Sequence, residues 1–206
     1  MTEPSPPPLV LASASPRRRE LLEQAGQRFL VEPSDVDETL SLFESPFGAA
    51  LELAQRKALA GAARHPERRA CVLGADTIVA VRRDGRWLLL GKPADAREAL
   101  GMLDLLSGTR HLVATGVAVV RTPDGAQRSA VEGTYVTMRE ILPAERAAYV
   151  ASGEWEGKAG GYAIQETADR FVVRLEGGFD NVVGLPVALA LSLYRELAGP
   201  QAPGGA

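Results

Sequence analysis

Between a proline-rich start and a glycine-rich end, apolar positions fall alternately into short continuous runs and helix-spaced stripes. Leu9–Ala12 reads as a short buried strand. Ser15-Pro16 then supplies an N-cap with proline at the first helical position, and Leu21, Leu22 and Ala25 form an apolar face before Gly26 ends the helix. Ser45-Pro46 repeats that device for a second helix, running to about Arg64. Ala70–Val81 is a long apolar strand pattern, turned by Asp84-Gly85 into Trp87–Leu90. Asp95 with Glu98 makes a capping box for a helix through Leu106, closed by Ser107-Gly108. His111–Val120 and Val131–Met138 flank a Pro123-Asp124-Gly125 turn as a further hairpin. Pro143 opens a helix to about Ala151, and a Gly-rich loop follows from Gly153 to Gly161. Phe171–Leu175 is a strand and Pro186–Leu197 the closing helix. Interleaved strands and helices with at least two hairpins predict an α/β (mixed α+β) chain, an elongated mixed sheet flanked by helices.

With 206 residues the chain is a large single domain or two small lobes around one cleft. Residues 9–197 are expected to form one domain, with loose tails over 1–8 and 199–206. Hydrophobic residues at 46% and charged residues at 24% place it among globular proteins. A formal charge of −3 and the lack of an extended basic stripe with stacking aromatics argue against a nucleic-acid partner. Any anion site must come from local clustering of Lys and Arg. The single cysteine, Cys71, excludes an internal disulfide and a Cys-rich zinc site, and its apolar setting reads as a small core residue. His65 and His111 do not space like metal ligands. Leu9–Ala12 with Ser13-Ala14 is too short for a signal peptide and follows Glu3 and four prolines instead of a basic segment. No run approaches the ~18–20 apolar residues of a membrane span, so the expectation is a cytoplasmic protein without a membrane partner.

Four features carry candidate chemistry. Arg17-Arg18-Arg19 occupies the first turn of the first helix, where cations oppose the macrodipole and free N–H groups already favour an anion. Three solvated arginines are one reading; a bound phosphate, helped by the Ser13–Pro16 turn, is the other. Lys57 sits four residues after Leu53, inside the stripe of Ala50, Leu53, Ala54 and Gly61, so it either snorkels past the core edge or reaches into a cleft toward an anion. Asp76 lies in an otherwise apolar strand and needs a cation, a metal, a proton or neighbouring backbone N–H groups. Gly74 just before it indicates a bulge or a close backbone approach, and Lys92 in Gly91-Lys92-Pro93 is a candidate neighbour. The loop Glu156–Gln165 lets backbone approach a ligand and sets Lys158 and Gln165 at a rim, without the spacing of a Walker A loop. An inventory of Arg, Lys, Asp, Glu and Gln, with no Ser or Cys nucleophile backed by a histidine, suits phosphoryl chemistry.

Those features fall within blocks that resemble the Maf family of nucleoside triphosphate pyrophosphatases, from Leu9 to about Leu197. The blocks are Leu11-Ala-Ser-Ala-Ser-Pro-Arg-Arg18, Ala54-Gln-Arg-Lys-Ala58, Gly74-Ala-Asp-Thr77, Gly91-Lys-Pro93, Leu106-Ser-Gly108, Lys158-Ala-Gly-Gly-Tyr-Ala-Ile-Gln165 and Asn181-Val-Val-Gly-Leu-Pro186. The resemblance implies a central nucleotide-binding cleft, a nucleoside triphosphate substrate, a divalent cation (Mg2+ or Mn2+) and often a homodimer. It implies that Asp76 accepts a proton from water and that Ser13, Arg17, Arg18, Lys57 and Lys92 fall at phosphate-binding and catalytic positions. Whether Asp76 is base or metal ligand stays open, and Glu38 is a second candidate ligand. The Ser-Pro-Arg-Arg, Asp-Thr and Ile-Gln forms resemble the branch acting on dTTP and UTP, with Arg17, Thr77 and Gln165 marking substrate preference. An amide such as Gln165 can pair with an imide edge but could flip to suit cytosine, so selectivity needs neighbours to hold its orientation, and Thr77 and the Gly160-Gly161 backbone are the candidates. Glu166 departs from the glycine that commonly follows this glutamine. A non-catalytic, nucleotide-binding regulator of cell division is the alternative, opposed by the presence of Asp76, Lys57 and Lys92 together.

Overall fold

The structure, a computed structural model, describes residues 6–38 and 45–199; the outer parts of the expected tails, 1–5 and 200–206, lie outside the described residues. In chain order the elements are β1 (Leu9–Leu11), α1 (Pro16–Gln24), β2 (Phe29–Val31), α2 (Pro46–Ala62), β3 (Ala70–Arg83), β4 (Arg86–Leu90), α3 (Ala96–Leu106), β5 (Arg110–Thr122), β6 (Gln127–Met138), α4 (Pro143–Ala151), β7 (Val172–Glu176), α5 (Phe179–Val183) and α6 (Val187–Ala198). Short 3-10 turns cover Ala159–Gly161 and Thr167–Phe171. All seven strands join one mixed sheet in the order β2-β1-β3-β5-β6-β7, with β4 also paired to β3. β1 runs parallel to β2 and β3, and the remaining pairs are antiparallel. The mixed α/β architecture agrees with the sequence reading.

Several local expectations need correction. Ala25 is exposed, so Leu21 and Leu22 are the apolar anchors of α1. Ser15 caps α1 by position, but its side chain accepts no capping hydrogen bond. Asp95 Oδ1 accepts from Glu98 N, whereas Glu98 Oε2 accepts from Ala94 N and not from the N-cap itself. The chain is tied down earlier than a tail over 1–8 allows. Tyr194 donates to the Pro7 carbonyl at 2.8 Å, and the Pro8 carbonyl accepts from Cys71 N at 2.9 Å.

The layers follow from the alternation along β3. Val72, Gly74, Asp76 and Ile78 face α2, which lies on one side of the sheet. Leu73, Ala75 and Val79 face the larger core on the other side, built with α1, α3, α4, α5 and α6. Two glycines let α2 settle unusually low. A Cβ on Gly74 would collide with Ala54 O and Ala58 N, and one on Gly116 of β5 with the Ala50 carbonyl. Gly116 stands directly opposite Asp76 in the ladder. The close approach anticipated at Gly74 is therefore between helix and sheet.

The topology also leaves an opening. β1 pairs with β3 up to Leu73, and β4 pairs with the same edge from Val79 onward. Between them, Gly74–Ile78 has a strand partner only on the β5 side among the described residues. β1 is also where the chain reverses its course. It leaves through α1 to β2 on one side and returns through α2, on the opposite face, to β3 on the other side. In open α/β sheets such a switch point at the strands' C-terminal ends is where ligands bind.

Candidate active site

Asp76 and Thr77 sit in that opening and point to opposite faces. A cavity of about 750 Å³ surrounds it, lined by the β1–α1 turn, Lys57, Lys92, the Glu156–Glu166 loop and the Val182–Gly184 turn. Ten residues singled out from the sequence line it: Ser13, Arg17, Arg18, Glu38, Lys57, Asp76, Thr77, Lys92, Lys158 and Gln165.

On the α2 face, Lys57 Nζ lies 2.5 Å from Asp76 Oδ1 and 2.7 Å from Glu38 Oε1. Lys57 and Asp76 are 7% and 6% exposed, so the carboxylate and the ammonium compensate each other's burial. Lys57 thus reaches into the cleft. Lys92 does not contact Asp76 as expected; its Nζ pairs with Glu38 Oε2 at 3.1 Å, making Glu38 the bridge between the two lysines. Burial pushes the Glu38 carboxyl up, but hydrogen bonds and charge from Lys57 and Lys92 outweigh it and hold it below the usual range. On this face the carboxylates are Asp76 and Glu38, and with Asp76 Oδ1 and both Glu38 oxygens held by lysines, a cation would take Asp76 Oδ2 and share Glu38 with them. Magnesium, which characteristically takes one or two carboxylates and completes its shell with phosphate oxygens and water, fits such a donor set.

The three arginines separate into three roles. Arg19 pairs with Glu23 on the surface. Arg18 turns inward, donating from Nε to Gly184 O at 2.7 Å, from Nη1 to Ser13 Oγ at 3.2 Å and from Nη2 to Thr77 Oγ1 at 3.2 Å. Its burial draws its pKa down. It binds the cavity wall together, so its removal costs stability; relief of helix-dipole conflict is too small to reverse that. Arg17 lines the cavity and makes no hydrogen bond or ion pair to the described residues. Desolvation lowers its pKa, opposed by the charge of Glu166. A half-desolvated guanidinium beside the helix N-terminus is a ready anion contact.

At the rim, Lys158 Nζ is engaged by Glu166 Oε2 at 2.6 Å and by the Glu154 carbonyl. The departure at Glu166 therefore neutralises one of the expected substrate cations. Gln165 is exposed at the cavity edge and makes no hydrogen bond to Thr77 or to the Gly160-Gly161 backbone. The loop itself is pinned. Gly160 N donates to Gly91 O at 2.9 Å, Ala163 N to Tyr149 Oη at 3.2 Å, and Tyr162 Oη meets His111 Nε2 at 2.8 Å.

Sequence reasoning missed Thr115 and gave Asn181, Gly184 and Tyr162 no role of their own. The last three stood inside matching blocks, which was the available signal. Among the described residues no cluster of three or more His, Cys, Asp or Glu side chains is placed to hold a metal by itself, and no helix is long and apolar enough to cross a membrane.

A family model described as Maf-like protein matches residues 8–197, carrying every one of these side chains. The chain belongs to the Maf-like protein family. Relatives named for an activity match over most of the chain. A dTTP/UTP pyrophosphatase of Paramagnetospirillum magneticum is 50% identical over 178 residues, 86% of this chain and 90% of the relative. A dTTP/UTP pyrophosphatase of Caulobacter vibrioides is 47% identical over 192 residues, 93% of this chain and 96% of the relative. That of Hyphomonas neptunium is 48% identical over 195 residues, covering 94% and 97%.

Proposed function

We propose that this chain is a nucleoside triphosphate pyrophosphatase that hydrolyses dTTP and UTP to the monophosphate and pyrophosphate, and so serves in nucleotide-pool housecleaning. The observation that carries the reading is the sheet opening itself. It presents a buried carboxylate, Asp76, beside the cations Lys57, Arg17 and Lys92 in a cavity roomy enough for a nucleotide. The relatives at 47–50% identity act on the same substrates by name.

In this reading the triphosphate lies along the β1–α1 turn. Arg17 and the N–H groups of α1 receive phosphate oxygens, with Ser13 beside them. Lys57 and Lys92 reach it from the other wall. Asp76 orients the attacking water toward the α-phosphorus and accepts its proton, while Lys57 holds the carboxylate in place. A divalent cation, Mg2+ or Mn2+, would be held by Asp76 and Glu38 and would neutralise charge on the departing pyrophosphate. The apolar wall of Val79, Val113, Ile164 and Val183 receives the base, with Gln165 at its edge. Lys158, already paired with Glu166, contributes through loop position more than through free charge. A cytoplasmic setting and a homodimer, without nucleic acid or membrane partners, complete the proposal.

The test is pyrophosphate release from the common triphosphates with magnesium and with manganese, in the wild type and Asp76→Asn. The expected result is preference for dTTP and UTP and a loss of several orders of magnitude in kcat in the folded variant. Near-normal turnover in Asp76→Asn removes it from the mechanism, and binding without turnover in the wild type favours a non-catalytic role.

A further inference from the structure

On the α1 side the cavity floor is formed by Thr77 and Val79 of β3 and by Val113 of β5, which stands opposite Val79. Tyr162, Ile164, Val182 and Val183 enclose it. Thr77 is the polar group of an otherwise apolar floor, and the direction of its hydroxyl proton is dictated from behind.

Thr115 lies directly opposite Thr77 in the ladder and is fully buried. Its Oγ1 is 2.8 Å from the main-chain oxygen of Asn181 and 3.0 Å from Thr77 Oγ1. A carbonyl oxygen can only accept, so the single Thr115 proton goes to Asn181 O. Thr77 must then donate its own proton to Thr115. Arg18 Nη2 donates into one Thr77 lone pair. What remains facing the cavity is one lone pair and no proton. Asn181 cannot shift to release the arrangement easily. Its Nδ2 donates to Val113 O at 3.0 Å and to Thr134 Oγ1 at 2.9 Å, and Thr134 donates onward to Gly178 O at 3.0 Å.

We propose that Thr115, anchored on the main chain of Asn181, is a positioning residue for base selection: it holds Thr77 as an acceptor-only contact that admits a base edge presenting N–H and repels one presenting a lone pair. The inference rests on the proposed function and adds to it the residue that gives the pocket its hydrogen-bond polarity. Uracil and thymine present the imide N3–H, whereas cytosine has a lone pair at the same ring position. Two acceptors facing each other in a buried site leave both unpaired, worth about a tenfold discrimination. The selection needs no fixed orientation of Gln165, whose amide is unpinned. Guanine also carries a ring N–H, so purines are turned away by something other than Thr77.

The experiment measures kcat/KM for UTP, CTP and GTP, together with calorimetric Kd values for UMP and CMP. The proteins are the wild type, Thr115→Val and Thr115→Ser, each with its melting temperature. Thr115→Val keeps the shape but frees the Thr77 proton to turn toward the cavity. It should narrow the UTP-to-CTP ratio about tenfold, chiefly by a gain on CTP, and leave the UTP-to-GTP ratio where it was. Thr115→Ser should restore the wild-type ratio, which a packing defect would not explain. Should the valine variant fail to fold, Thr115→Ala takes the same reading. An unchanged UTP-to-CTP ratio and an unchanged UMP-to-CMP ratio in a folded Thr115→Val or Thr115→Ala overturn the proposal. A wild type that does not turn over UTP overturns the pyrophosphatase reading instead, and the monophosphate Kd values then still decide the relay.

Discussion

Gly74→Ala adds one methyl group at the point where α2 rests on β3. The new Cβ would stand 3.0 Å from Ala58 Cα and closer still to Ala54 O and Ala58 N, all backbone atoms that cannot rotate away. Ordinary contact is restored only if α2 lifts by about 1 Å, and overpacking of this kind costs about 1–3 kcal/mol. Lys57 rides on that stretch of helix and sits 2.5 Å from Asp76. A lift of about 1 Å breaks that hydrogen bond and misplaces the carboxylate, an error that lowers a rate by about a hundredfold. The assay pairs urea denaturation with steady-state pyrophosphate release, so loss of fold and loss of geometry are read separately. The variant should be folded but weakened, with kcat reduced far beyond its unfolded fraction. Wild-type kcat in Gly74→Ala would refute it, because the helix would then not need its low seat to bring Lys57 to Asp76.

Three further outcomes follow from individual side chains. Arg18→Ala should lose about 2–4 kcal/mol of stability even without nucleotide, since Gly184 O, Ser13 Oγ and Thr77 Oγ1 all lose their donor; a denaturation midpoint at or above wild type would contradict this. Arg17→Ala should leave the unfolding free energy within about 0.5 kcal/mol of wild type and raise KM for UTP about tenfold, as expected of a cation used only by ligand; an unchanged KM removes it from the phosphate site. His111 is buried and neutral, and desolvation draws its pKa from 6.5 to about 4. The unfolded chain therefore binds the extra proton first, and its contribution is full above pH 6.5 and lost as pH falls toward 4. That loss amounts to about 3 kcal/mol, so a folded His111→Gln should show a visibly flatter decline over that window in urea titrations.

Much of the fold was legible because its signals were local. Proline at the first helical position marked α1, α2 and α4, and Asp84-Gly85, both with positive φ, marked the β3–β4 hairpin. β2 escaped notice because three partly exposed residues at a sheet edge carry no periodicity. α5 escaped because it is a single turn held by side chains, with Asp180 accepting from Asn181 N and from Val187 N at the start of α6. The site was legible as anomalies but not as partnerships. Lys57 and Asp76 each stood out among apolar neighbours, yet their contact depends on Gly74 and Gly116 lowering α2. Arg18 stood out as a phosphate candidate, but its tie to Gly184 O, 166 residues away, was not legible. Lys92 was drawn toward Asp76, but Glu38 intercepts it. Thr115 gave no signal at all, since a threonine in a buried strand reads as packing until its proton is followed.

Water that attacks the α-phosphorus at Asp76 leaves its oxygen in the nucleotide product. The most direct measurement is UTP hydrolysis in 18O-labelled water, with both products analysed by mass spectrometry. The expected result is one labelled oxygen in UMP, unlabelled pyrophosphate, and loss of the reaction in Asp76→Asn. Label in pyrophosphate, release of orthophosphate, or unchanged turnover in that variant would contradict it.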